Sequence, residues 1–383
     1  MKPPPKIILS LTLALAIFWP GLLPRPAEAS GVALVGQNET AAPNEQIFKA
    51  QVLEVMEEKN ETDEAGVTIH QQNLRIRGLE GVWLDKEINI QGISDIVVLE
   101  AARYKTGENI YVNYRLTPDG EEKFYALDHV RTPALWWLAG LFAAVVLLIG
   151  RWAGLRALLV LAATFAIIIK FIIPRIVAGS DPITIAIIGS LGILFLAIFG
   201  TEGFSRKSAV AFGSITLSLG LILLLSKLFT DFAHLSGLET EEAAYLLSLG
   251  NLHINLQGLL LAGIIIGALG VLDDIIMSQV SLVKELADAN PDMKAKTMFA
   301  TAMRVGTDHI NAIVNTLFLA YAGVSLPLLV LFTIYNSPNM AIGSIINREL
   351  FATEIVRTLV GSIALVLSVP VATYLAVKTF CKK

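Results

Sequence analysis

Four polar residues stand in one row where a long apolar run begins: Arg304, Asp308, Asn311 and Asn315. Their i, i+4, i+7, i+11 spacing places them on a single helical face. An earlier apolar stretch closes on adjacent carboxylates, Asp273 and Asp274. Carboxylates and amide oxygens are hard ligands suited to small cations, and carboxylates also carry protons. Alternatively, Arg304 and Asp308 neutralise each other and leave the two asparagines to bind a solute. A third chemistry is activation of water on a lipid substrate by Asp273-Asp274 or Asp308-His309. The plainer reading is a polar network that ties helices together. Polar groups at membrane depth are expensive, so the row is expected to face the interior of a helix bundle.

Two spans must position these groups, and they lie within Asn255–Phe332. The first carries Gly263, Gly267 and Gly270, a small-x-x-x-small pattern that lets two backbones approach closely in lipid. It is expected to end near Leu272. Ile275–Ala289 then keeps helical apolar spacing, as an amphipathic helix along the membrane boundary would. Asp273 could cap that helix from the junction. Asn290-Pro291-Asp292 ends it, and the proline is expected to open the helix that carries the polar row.

The chain as a whole reads as a membrane protein. Hydrophobic residues make up 54% of it, charged residues 16%, and the mean hydropathy is +0.64, against roughly a quarter charged in soluble proteins. Stretches of about 20 apolar residues can cross a bilayer. Such spans are expected near 133–150, 153–173, 183–200, 209–230, 255–272, 309–333 and 355–377, about seven in all, or eight if an N-terminal helix is retained. Lysine and arginine set the orientation. One set of ends holds Arg151, Arg156, Arg206, Lys207, Lys284, Lys294, Lys296, Arg304, Lys378, Lys382 and Lys383. The other holds Lys170, Arg175, Lys227, Arg348 and Arg357. The richer set is expected to be cytoplasmic, together with the C-terminus.

Met1 to Ser30 resembles an export signal, with Lys2 and Lys6, an apolar core from Ile7 to Trp19, and Ala27-Glu28-Ala29 at its end. An uncleaved anchor is the alternative. A linker follows to residue 45. From 46 to 132 the pattern turns to short alternating runs, with strands expected at Ile47–Val55, Val67–Arg77, Lys86–Gln91, Ile96–Ala101, Asn109–Leu116 and Lys123–His129. They predict a small extracytoplasmic all-β domain, OB-like or another barrel or sandwich. The helical transmembrane domain fills 133–383. The acidic run Glu57–Glu64 reads as a solvated hairpin tip, with cation chelation the rarer use. His234 and His253, at the ends of one loop, read as interfacial residues rather than metal ligands. Glu202 with Arg206, and Glu354 with Arg357, are spaced for local ion pairs.

Much common chemistry is excluded. The sequence has no P-loop, no H-E-x-x-H and no G-x-S-x-G. Basic patches with interleaved aromatics are missing, which argues against nucleic acid. The single cysteine, Cys381, allows no internal disulfide, and no cofactor is indicated.

The runs GVLDD, ANPDM, AMRVGTDHI and VNTLFLAYAGVSLPLL resemble the YibE/F family of bacterial multi-pass membrane proteins. RTPALWWLAGLF, TEGFSRK and VGSIALVLSVPV extend the resemblance over most of the chain after residue 45. It implies a helical polytopic protein of the bacterial plasma membrane and brings no catalytic or binding residues with it. Two functions fit. One is a transporter or permease for a small cation or other solute, using Asp274, Asp308, Asn311 and Asn315. The other is a non-transporting envelope sensor or assembly factor whose β domain binds a partner. An enzyme ranks behind both. The glycine face can serve a neighbouring span or a second copy of the chain.

Overall fold

The computed structural model describes residues 45–62, 68–93, 98–99, 103–117, 119–248, 254–335 and 342–381. The expected export signal, most of the linker, His253 and the start of the connection after residue 335 lie outside them. The chain divides into two compact units, with the boundary in sequence between Val145 and Val146.

The first unit holds one antiparallel sheet of β1 (Glu45–Thr62), β2 (Thr68–Gly78), β3 (Glu87–Gln91), β4 (Val98–Leu99), β5 (Asn109–Leu116) and β6 (Glu122–His129). The order is β3-β2-β1-β5-β6, with β4 beside β2. Alternation in β1 turns Phe48, Ala50 and Val52 inward, where Leu74, Ile76, Ile90, Ile110 and Val112 meet them. Register shifts at Val52/Glu54 and Val55/Glu57 add twist to the long first strand. The sheet curls, and β3 and β6, at opposite ends of its order, approach within 8 Å of each other. Trp83 stacks on Phe48 with centroids 5.6 Å apart and meets Phe124 edge-on at 5.2 Å. Gly107 and Gly120 stand between strands at φ 91° and 83°, where L side chains are strained.

Helices make up the second unit and its approach. They are α1 (Thr132–Ile167), α2 (Ile173–Val177), α3 (Pro182–Thr201), α4 (Arg206–Phe232), α5 (Glu241–Ser248), α6 (Leu256–Ala289), α7 (Ala295–Val324), α8 (Leu326–Tyr335), α9 (Ile342–Ile346) and α10 (Glu349–Phe380). A π-helical segment, Ile168–Ile172, joins α1 to α2. Pro174 follows it and lacks the N–H that a regular turn would use.

Five segments among the described residues are long and apolar enough to span a membrane, or six if the bent pair α7–α8 is one span. The seven expected spans include two that this count takes together. The spans at 133–150 and 153–173 fall in one segment, Thr132–Val177. It breaks at Arg151, where φ is 48° and ψ −125°. The chain turns so tightly there that a Cβ on Gly154 would lie 2.3 Å from the Val146 carbonyl oxygen.

Sequence explains the helix starts. Asp181 accepts from Thr184 N at 2.9 Å ahead of Pro182, Ser205 from Ser208 N at 3.0 Å, and Asn255 from Gly258 N at 3.0 Å, each an N-cap. Small polar residues line the buried faces of two long helices: Ser208, Ser214, Ser218 and Ser226 on α4, and Ser362, Ser368 and Thr373 on α10. Side chains this short let α4 and α10 approach closely.

Candidate functional site

Asp273 and Asp274 do not end a helix. α6 runs unbroken from Leu256 to Ala289, about 50 Å at 1.5 Å per residue, so the expected span and amphipathic helix are one element. Carboxylates inside a helix still make their backbone hydrogen bonds, and a pair of them is no stop signal. Asp273 therefore caps no junction; the cap of α6 is Asn255. Downstream, Asn290 closes α6 as expected, but α7 starts at Ala295 rather than at the proline.

Three helices meet around Gln279, which is almost fully buried. Its Nε2 donates to the Thr373 hydroxyl of α10 at 2.7 Å and to the Ala302 carbonyl of α7 at 3.0 Å. Beside it α7 has Gly306, where an added Cβ would come 2.8 Å from Val369 Cγ1 and 3.0 Å from Gln279 Nε2. Toward the other end, Ala268, Val271 and Leu272 of α6 surround a small void with Leu317, Tyr321, Gly361 and Leu365. Ser325, at the C-cap of α7, donates to Glu354 of α10 at 3.3 Å.

These contacts work as a depth ruler. On α10 no charge occurs from Thr358 to Val377, about 20 residues and so about 30 Å of helix, the thickness of a hydrocarbon core. α7 runs alongside it from the level of Thr373, at Ala302, to that of Glu354, at Ser325. Arg304, Asp308, Asn311 and Asn315 lie between those points, next to the uncharged stretch. Asp273 and Asp274 fall between the Gly361/Leu365 level and the Thr373 level of the same stretch. Glu202, at the C-cap of α3, lies within electrostatic reach of Asp273.

The side chains do not face where the sequence reading put them. Arg304, Asp308, His309, Asn311 and Asn315 are all exposed on the outside of the single chain. The inner face of α7 is instead Met298, Ala302 and Gly306, with Met303, Ile310, Ile313 and Leu317 packed on Ile275, Leu365 and Val369. Asp274 is exposed, and Asp273 is half-buried with Oδ1 enclosed and unpartnered. Among the described residues no hydrogen bond or ion pair joins the row to the two aspartates, so they share a depth without forming one cluster.

Gly263, Gly267 and Gly270 are exposed as well, and a Cβ on any of them would meet nothing within 4 Å. Of the two uses open to them, contact with a neighbouring span is not made among the described residues. Close approach within the chain falls to Gly306, and to Gly189, whose Cβ would lie 2.5 Å from Ile172 Cδ1. Sequence reading missed Gln279 and Gly306. The signal for Gln279 was an amide at i+4 from Ile275 and i+3 from Ile276, on the apolar side of its helix.

Of the smaller expectations, Arg357 does donate to Glu354, at 2.5 Å. Glu202 pairs with Lys207, not Arg206, also at 2.5 Å. Among the described residues no group of three His, Cys, Asp or Glu could hold a metal ion.

Long apolar helices that expose wide apolar faces, with polar side chains confined to narrow stripes, define an integral membrane protein. The YibE/F-like protein family matches residues 138–382, and the chain belongs to that family. The match begins within α1 and takes in the whole polar row. No curated relative and no solved structure matches the chain.

Proposed function

We propose that the protein is a transporter or permease for a small cation or other small solute of the bacterial plasma membrane. The observation that carries this reading is the one-sided row Arg304, Asp308, Asn311, Asn315 on α7, alongside the uncharged stretch of α10. α7 breaks at Ser325 and bends by 69° into α8. Placing that row against lipid would cost on the order of a few kcal/mol per charged group, so it requires water, solute or protein beside it. Asp308 and Asp274 would attract a cation or relay a proton, with Asn311 and Asn315 as neutral oxygen ligands farther along the path.

The orientation we infer has the β domain outside and the C-terminus in the cytoplasm. The end of α6, the start of α7 and the end of α10 lie together, with Cys381 Sγ 3.3 Å from the Met293 carbonyl. Lys284, Lys294, Lys296 and Lys378 thus gather at one end of the bundle, which suits a cytoplasmic face.

The β domain supports a second reading, an envelope sensor or assembly factor. A cleft of about 320 Å³ there is lined by Val55, Glu58, Gln72, Arg103 and Tyr104, and could hold a partner's side chain. Solute flux separates the two. Proteoliposomes with the native chain should pass protons or a small cation, while Asp308→Asn and Asn315→Leu lose flux and keep their melting points. Absence of flux, with both variants melting lower, would make the row structural and favour the second reading.

A further inference from the structure

We infer that a second copy of this chain covers the outward faces of α6 and α7, so that the proposed pathway is walled by two copies. The inference rests on the transport reading for the pathway, but its surface stands on geometry alone. Along α6 the outward residues are Gly263, Gly267, Gly270, Asp274 and Ser278, all five of them exposed. Their spacing of i, i+4, i+7, i+11, i+15 makes them one stripe. Such a stripe gives a smooth, shallow face on which another helix can lie close. The neighbouring helix α7 carries its polar row at the same depth, equally uncovered.

Charge is the second, independent observation. Arg304, Asp308 and Asp274 have no ion-pair partner among the described residues, although they lie beside the uncharged stretch of α10. Two other carboxylates at the bundle's ends do pair within the chain, Glu354 with Arg357 and Glu202 with Lys207. A surface holding one arginine and two aspartates is self-complementary. In a two-fold contact, the same patch meets itself, and the arginine of each copy faces the aspartates of the other. Lipid acyl chains supply neither partner. Among the described residues a single copy gives only one side of the path: α7 presents Arg304, Asp308, Asn311 and Asn315 outward, with no described residue opposite.

Cross-linking in native membranes tests this, with Cys381→Ser removing the only native thiol. Ser278→Cys should form an oxidised band at twice the chain mass, several-fold stronger than Leu224→Cys, an exposed apolar position on α4. Adding Gly267→Ile should weaken that band several-fold. The unmutated chain in lipid nanodiscs should weigh as two copies, a readout that needs no variant to fold. One copy by mass, with Ser278→Cys no stronger than Leu224→Cys, overturns the inference. Flux on the same preparations keeps the two claims apart. Two copies without flux leave the pairing standing and defeat the transport reading, while flux from single copies does the reverse.

Discussion

Gln279 and Thr373 are joined by a 2.7 Å hydrogen bond between α6 and α10, and the same amide nitrogen holds the Ala302 carbonyl of α7. One buried side chain therefore sets the relative depth of three helices, and with it the depth of every group in the polar row. A slip of one turn between α7 and α10 would move Asp308 by about 5 Å along the membrane normal.

Gln279→Leu keeps the volume but loses both interhelical bonds, leaving the Thr373 hydroxyl with only its own Val369 carbonyl. Interhelical hydrogen bonds in membrane proteins contribute roughly 0.6–1.7 kcal/mol. The variant should melt a few degrees lower in detergent. Flux should fall as well, because the row loses its register.

Gly306→Val should be more damaging. Its Cβ would stand 2.8 Å from Val369 Cγ1 and 3.0 Å from the Gln279 amide, and overpacking of this kind costs about 1–3 kcal/mol. Gly263→Ala has no such neighbour. In a detergent that yields single copies it should melt as the native chain does, and a matching loss in both variants would refute the packing assigned here.

How far the sequence could be read divides along physical lines. The β strands were legible because one face of the sheet is wet and one dry, so inward Phe48, Ala50 and Val52 alternate with Lys49 and Gln51. The apolar helices were legible by length alone. Which way a membrane helix faces was not, because lipid and helix bundle are both apolar. The i, i+4, i+7, i+11 spacing gave the row of α7 a common face but not a direction. The length of α6 was misjudged at Asp273-Asp274, since a polar pair reads like a membrane boundary even where the helix continues for another four turns. Gly263 and Gly306 look alike in sequence; only the neighbours distinguish them.

The β domain should lose stability in acid for a specific reason. Arg75 donates to Glu87 from Nε at 3.0 Å and from Nη2 at 2.6 Å, which holds the Glu87 carboxyl below its ordinary range. Arg131 does the same for Asp128. A lowered folded-state value means the contribution is present above the usual carboxylate range and disappears as pH falls through the lowered value. Both pairs are exposed, so each effect is small and fades with salt. Arg75→Ala should destabilise the sheet at neutral pH, and the difference from the native chain should shrink toward zero in acid. Amide exchange of β2 and β3 in the detergent-solubilised chain measures it, and a difference that persists unchanged at low pH would contradict the assignment.

The most direct measurement is aqueous thiol labelling along α7 in membranes, in the Cys381→Ser background, with single cysteines at 308, 311, 315, 318 and 319. A pathway along the polar row predicts that Asp308→Cys, Asn311→Cys and Asn315→Cys react with a charged, membrane-impermeant reagent. Phe318→Cys and Leu319→Cys, past the end of the row, should stay unlabelled. Saturating the protein with a transported ion should slow the three reactive positions. If all five are equally inert, the row is sealed from water and no solute passes along it.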